Sequence, residues 1–154
     1  VHSAEEVPPN FHARFDARER HYSYAITLSP TALRRRYSWS VTYPLHLELM
    51  EVAATMIVGE HDFRSFCLHG SEVESTVCRV SVSRWHIAGD EVKYEIRADR
   101  FVHGMVRSLV GTMVDIGRGH TPLSDLPVIF SSRDRRKAGM TAPARGLVLE
   151  SILY

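Results

Sequence analysis

The hydrophobic period of this chain switches between two and about 3.6 residues, and the order of the switches restricts its fold more than any single residue does. From His21 to Leu28, Tyr22, Tyr24, Ile26 and Leu28 alternate with smaller or polar residues, which is strand patterning. In Leu45 to Val58, Leu49, Met50, Ala53, Ala54, Met56 and Ile57 recur mostly at three and four, so one helix face is apolar, with Gly59 placed to stop it as a C-terminal cap. Alternation returns from Val73 to Ile87 through Val77, Val80, Val82 and Trp85, turns at Ala88-Gly89-Asp90, and resumes in Val92, Tyr94 and Ile96. Phe101 to Ile116 reverts to helical spacing, Thr121-Pro122 with Asp125 starts a short extra helix to about Phe130, and Leu147, Leu149 and Ile152 mark a last strand.

Strand, helix, strand, strand, helix, strand is the split β-α-β order of ferredoxin-like α+β domains. The patterning predicts antiparallel strands near residues 20–28, 74–87, 91–99 and 147–153, with helices near 45–58 and 101–117 on one face. Such a sheet buries one face only, and Tyr22 and Leu147 are expected on the open one. A length of 154 residues suits one core, read as residues 20–154 behind a polar lead-in, 1–19, that contains Pro8-Pro9. The first residue is Val1, not Met, and a cut from a longer protein is the simplest account.

Composition narrows the class. No apolar run approaches the roughly 20 residues of a membrane helix, and no secretory segment opens the chain, so a soluble cytoplasmic protein is expected. Cys67 and Cys78 make no Cys-x-x-Cys pair and read as reduced, packed thiols. With His61 and His69 they match no structural zinc spacing, and neither a metal nor an organic cofactor is expected. Net charge is only +1, but of the 19 basic residues just Lys93 and Lys137 are lysine. Arginine suits phosphate contacts and stacking on bases, although a GC-rich genome produces the same bias. Arg14/Arg18/Arg20, Arg34-Arg35-Arg36 and Arg133/Arg135/Arg136/Lys137 either trace a phosphate backbone or form solvated faces.

Several segments stand in an order few sequences need: Phe11-His-Ala-Arg-Phe15, Arg20-His-Tyr-Ser-Tyr24, Gly59-Glu-His-Asp-Phe63, Phe101-Val-His-Gly-Met-Val-Arg107, Gly117-Arg-Gly119, Asp134-Arg135, Ala138-Gly-Met-Thr-Ala-Pro-Ala144 and Gly146-Leu-Val-Leu149. In these the chain resembles the C-terminal half of the tRNA pseudouridine synthase A family, whose members isomerise uridine to pseudouridine in the anticodon stem-loop of tRNA. The resemblance implies an enzyme that needs no cofactor, tRNA as partner, homodimers holding one tRNA across both subunits, and a sheet continued by a missing N-terminal half. The family's nucleophilic aspartate sits in an Arg-Thr-Asp-Ala-Gly segment. None of Asp16, Asp62, Asp90, Asp99, Asp115, Asp125 and Asp134 has that setting.

On pattern alone, Tyr22 is a packing residue of a strand, Arg107 a surface arginine facing Asp99 or water, and Leu147 a core leucine. The resemblance implies more. Tyr22 takes the position of the tyrosine that stacks on the flipped uracil and whose hydroxyl has been proposed to handle a proton. Arg107 takes that of the arginine paired with the catalytic aspartate, and Leu147 that of the aliphatic wall of the uracil pocket. Arg14, Phe101 and His103 are the remaining candidates for substrate contact. Gly104 replaces a second histidine found in many members. Arg118, Asp134, Arg135 and Thr141 lie in matching segments without a clear role, Asp134 being suited to capping the loop after it, and Tyr24 is read as packing. A rival reading is a non-catalytic RNA-binding module that kept the fold; a third is a ferredoxin-like small-ligand or oligomerisation domain.

Overall fold

The computed structural model describes residues 4–30, 32–68 and 75–154. In chain order the elements are β1 (Glu19–Thr27), β2 (Trp39–Ser40), α1 (Leu47–Thr55), β3 (Gly59–Asp62), β4 (Val77–Ala88), β5 (Glu91–Ala98), α2 (Met105–Gly117), α3 (Leu126–Ser132) and β6 (Leu147–Leu153), with single 3₁₀ turns between some of them. The central order β6-β1-β5-β4 is antiparallel throughout, as a split β-α-β domain requires. The sheet nonetheless has six strands rather than four. β2 runs parallel to the end of β1, and β3 adds antiparallel to the outer side of β4. Both are too short for alternation to be visible in the sequence.

Gly59 does not cap α1, which ends at Thr55 with Met56 as C-cap; it opens β3 with a left-handed φ of 115°. The second long helix is likewise shorter than its periodic stretch: Phe101 and Val102 lead into a turn at His103 and Gly104, and Gly104, at φ 76°, is the N-cap of α2. Residue 74, where the third strand is expected to begin, lies outside the described residues, as does His69.

Helices α1 and α2 pack on each other and over one face of the sheet. That face carries Tyr24, Ile26, Val92, Tyr94, Ile96 and Trp85, all buried. On β4 the parity of core residues changes at Ser81, a bulge: Cys78 and Val80 face the core before it, Ser83 and Trp85 after it. Buried Ser83 and Tyr94 hydroxyls bond to each other at 2.7 Å, and burial pushes the Tyr94 phenol upward. Cys67 and Cys78 are both buried, and burial pushes the Cys78 thiol up to about 11.

The register overturns the expectation that Tyr22 and Leu147 occupy the open face. Residues paired directly across a ladder share a face. Tyr22 pairs with Ile96, and Leu147 with Tyr24, both partners fully buried on the helix side. The two candidates therefore lie at the margin of the helix-bearing face.

The opposite face is a charged lattice centred on Glu95. Its carboxylate accepts from Arg84 Nε at 2.8 Å and Arg97 Nε at 3.0 Å, with His86 Nε2 at 3.0 Å and His21 Nε2 at 3.4 Å. Burial alone would raise the carboxyl, but the bonds from His86, Arg84 and Arg97 outweigh it and hold it at about 2 against an ordinary 4.5. Because the folded state binds this proton less tightly than the unfolded chain, the stabilisation is complete above pH 4.5 and disappears as the pH falls toward 2. Glu95→Gln is expected to cost about 2 kcal/mol at pH 7, less than a fully buried pair because the partner cations reach solvent. Denaturant melts at pH 7 and pH 3 check this; equal losses at both would show that the carboxylate's charge is not what matters.

Candidate active site

The connection from Phe101 to Gly104 closes in a turn at His103 and Gly104 because the chain must leave β5 and enter α2 sharply. Leu68 N donates to the His103 carbonyl at 2.9 Å, and a Cβ on Gly104 would lie 2.5 Å from Leu68 Cγ. Glycine satisfies both this approach and the left-handed backbone, so a second histidine at this place would have to displace Leu68.

Arg107 follows in the first turn of α2 and is the one residue of that helix that is not buried. Its Nε donates to the Ala142 carbonyl at 2.6 Å, while Ala142 N donates to the Arg107 carbonyl at 3.0 Å. This reciprocal bridge joins α2 to the loop 138–146. Among the described residues neither Nη atom of Arg107 has a hydrogen-bond or ion-pair partner. The guanidinium is thus anchored by one nitrogen and presents its two-pronged end, the geometry that grips a carboxylate or a phosphate. The positive end of the α2 dipole reinforces an anion here. Asp99, the alternative partner considered for Arg107, instead receives Arg79 N at 2.9 Å and Arg100 N at 2.7 Å through Oδ1.

The loop that holds Arg107 is itself held from several sides. Arg135 donates to the Ala138 and Gly139 carbonyls and to Thr141 Oγ1, Gly139 N donates to Thr112 Oγ1 at 2.9 Å, and Tyr24 Oη donates to the Pro143 carbonyl at 2.7 Å. Tyr24 is fully buried, and burial raises its phenol; its role is to fasten the loop that delivers Leu147. Asp134 caps the turn Arg135–Lys137 by accepting from Arg136 N at 2.9 Å.

Tyr22 packs edge-on against Phe101, with ring centroids 5.0 Å apart and planes at 82°. Together with Met105, Val106, Arg107 and Leu147 they line a hollow of about 90 Å³. This is well below the roughly 300 Å³ of a complete small-molecule pocket and amounts to one wall of a site. Beyond the Tyr22–Phe101 pair the surface opens into a cleft of about 430 Å³ that includes Arg14, Arg20 and Arg100. The structure therefore brings Tyr22, Phe101, Arg107 and Leu147 together, with Arg14 next door. His103 is exposed and lines neither space. Ala142 was not visible as a partner of Arg107, since 35 residues separate them and no motif signals a backbone carbonyl.

Much of the remaining arginine is committed to structure: Arg133 pairs with Asp62 at 2.9 Å, Arg118 with Asp115 at 2.9 Å, Arg136 with Asp134 at 2.8 Å, and Arg34 with Glu91. A cavity of about 630 Å³ between β3 and α3 contains none of the candidate residues. The described residues contain no cluster of three or more His, Cys, Asp or Glu side chains placed to hold a metal ion, and no helix among them is long and apolar enough to cross a membrane.

Fold and site together define an α+β domain of the split β-α-β type that carries an aromatic wall, an aliphatic wall and a tethered, open-ended guanidinium at the start of its second long helix. A family model described as tRNA pseudouridine synthase matches residues 53–154. The chain is 42% identical to tRNA pseudouridine synthase A of Brevibacillus brevis over all of its own length and 64% of that protein's. It is 45% identical to the protein of the same name from Moorella thermoacetica, over 98% of this chain and 62% of that one. For that of Halalkalibacterium halodurans the identity is 41%, over 96% and 57%. The chain belongs to the tRNA pseudouridine synthase family. It spans somewhat under two thirds of the length of these relatives.

Proposed function

We propose that this chain is the C-terminal part of the catalytic domain of a tRNA pseudouridine synthase that isomerises uridine to pseudouridine in the anticodon stem-loop of tRNA, with the nucleophilic aspartate supplied by the part of the protein outside this chain. The observation that carries the reading is the guanidinium of Arg107, held by Nε with both Nη atoms open at the edge of a hollow walled by Tyr22 and Leu147. None of the ion pairs of the seven aspartates involves Arg107. A carboxylate arriving there would be kept ionised and fixed in place.

In the proposed reaction the aspartate carboxylate adds covalently to the nucleotide, the bond from uracil N1 to the ribose breaks, the uracil turns, and C5 bonds to the ribose as the aspartate is released; the C5 proton passes to solvent and N1 gains a proton, which leaves an isomer of the substrate. Tyr22 stacks on the extruded base and its hydroxyl handles a proton, Leu147 closes the other ring face, and Arg107 holds the nucleophile. Phe101 keeps Tyr22 on edge, and Arg14 contacts the RNA backbone; His103 is retained only as a peripheral RNA contact. No cofactor takes part. The proposed partners are tRNA, a second copy of the protein and the missing N-terminal part, and the proposed setting is the cytoplasm. The missing part has a fitting surface in β6, whose Val148, Leu149, Ile152 and Leu153 are exposed on an edge strand that pairs only with β1 among the described residues.

Tritium release from tRNA labelled at uracil C5 tests the reading. The full-length protein is expected to release tritium stoichiometrically with target sites, and the purified 154-residue chain to release none. Turnover by the chain alone would place the nucleophile among its own aspartates. A full-length protein that binds tRNA without turnover would favour the RNA-binding module, and one that neither binds nor reacts would favour a small-ligand domain.

A further inference from the structure

We propose that the cleft of about 430 Å³ beyond the Tyr22–Phe101 pair is a subsite for the nucleotide adjacent to the target uridine, with its phosphate on Arg100 and Arg14 and its base against Phe15. The inference rests on the proposed uridine pocket, because the two spaces share Tyr22 and Phe101 as a common partition.

The cleft is built rather than incidental. Arg20 spends its guanidinium on backbone: Nη1 donates to the Ala17 and Asp99 carbonyls and Nη2 to the Arg14 carbonyl. This clamp fixes the segment 12–17 against the end of β5. Inside that segment, His12 N donates to Asp16 Oδ2 at 2.7 Å, and Phe15 N and Asp16 N both donate to the His12 carbonyl. The two cations left over at the rim, Arg14 and Arg100, have no ion-pair partner among the described residues. Asp99, the acid of the lining, has its Oδ1 saturated by two backbone amides.

Phe15 is 74% exposed, on a fixed turn, with the Arg14 guanidinium carbon 5.7 Å from its ring centre. An aromatic ring and an arginine offered side by side at a surface are what a splayed, unpaired base stacks on, and stacking would also remove the exposed ring from water, which is favourable. The cleft is several times the volume of the base hollow, which suits a whole nucleotide. A flipped uridine leaves its neighbour unstacked on one side, and the subsite would take up that neighbour.

The test uses the full-length protein and stem-loop RNAs in which single linkages on either side of the target uridine are replaced by neutral methylphosphonates, or single neighbours by abasic residues. Affinity is read by fluorescence anisotropy at two salt concentrations. Arg100→Gln is expected to weaken binding about tenfold and lower the salt slope by about one. A methylphosphonate at one particular neighbouring linkage should weaken wild-type binding to the same degree and abolish the difference between wild type and Arg100→Gln. Phe15→Ala should weaken binding of normal RNA and not of RNA abasic at that neighbour, and Arg100→Lys should recover part of the loss. Unaltered affinity in both Arg100→Gln and Phe15→Ala, or losses indifferent to which linkage is neutral, would overturn the subsite. If tritium release is intact while these variants bind normally, only the subsite is wrong; absence of both RNA binding and tritium release refutes the uridine pocket as well.

Discussion

Arg107→Ala in the full-length protein is expected to lower the single-turnover rate about a hundredfold, equivalent to about 3 kcal/mol for a carboxylate stripped of its cation. The alanine variant loses two things at once. The open Nη pair goes, and so does the 2.6 Å bond from Nε to the Ala142 carbonyl that ties the loop before Leu147 to α2. Arg107→Lys restores the charge but has no second nitrogen with which to hold the loop and grip the carboxylate together, so partial rescue is expected. If Arg107 instead serves only a phosphate, the alanine variant binds tRNA more weakly, its salt slope falls by about one, and the rate at saturating tRNA stays near normal. Single-turnover rates and tRNA affinities of both variants at two salt concentrations separate these outcomes; an unchanged saturated rate in the alanine variant ends the ion-pair proposal.

Gly111→Ala is expected to be the most damaging small substitution for the fold itself. An added Cβ would lie 1.7 Å from the Met140 carbonyl oxygen and 2.8 Å from its carbon, which are backbone atoms of a clamped loop and cannot swing aside. To admit one methyl group, α2 and the loop must part, which stretches the bonds from Gly139 N to Thr112 and from Ala142 N to Arg107. Overpacking against rigid neighbours costs about 3 kcal/mol at the upper end of its usual range, or roughly 10 °C in Tm for a chain of this size. Gly139→Ala, with its Cβ 2.7 Å from Thr112 Cα, should behave similarly. Gly89→Ala is a useful contrast: its φ of 60° costs about 1 kcal/mol, but nothing lies within 4 Å of the added atom. A Gly111→Ala protein melting within two or three degrees of wild type would mean that the loop is not held as described.

The lattice around Glu95 and the loop under Arg135 show two ways in which arginine-rich stretches mislead. Arg133, Arg135 and Arg136 look from the sequence like a basic patch, yet each is bonded to a nearby acid or carbonyl. Arg14 and Arg100, separated by most of the chain, form the basic rim that is left open. Local clustering of charge reports composition, whereas the availability of charge depends on partners brought in from elsewhere.

What the sequence determined alone is what local periodicity and short motifs can carry. The alternation of Tyr22, Tyr24 and Ile26 and of Val92, Tyr94 and Ile96, the turn at Gly89-Asp90 and the helical stretch ending at Gly117 set the split β-α-β order, and the ordered segments from Phe11 to Leu149 marked the family. The tertiary structure decided the rest, because it depends on register and on contacts between distant residues. The bulge at Ser81 reverses which side of β4 faces the core, the pairing of Tyr22 with Ile96 puts the candidate tyrosine on the helix side, and the two- and four-residue strands β2 and β3 form only because β1 and β4 offer free edges. Arg107 could be singled out from its motif, but its anchoring could not: the partner of its Nε is a main-chain carbonyl 35 residues away, and any residue type supplies the same atom.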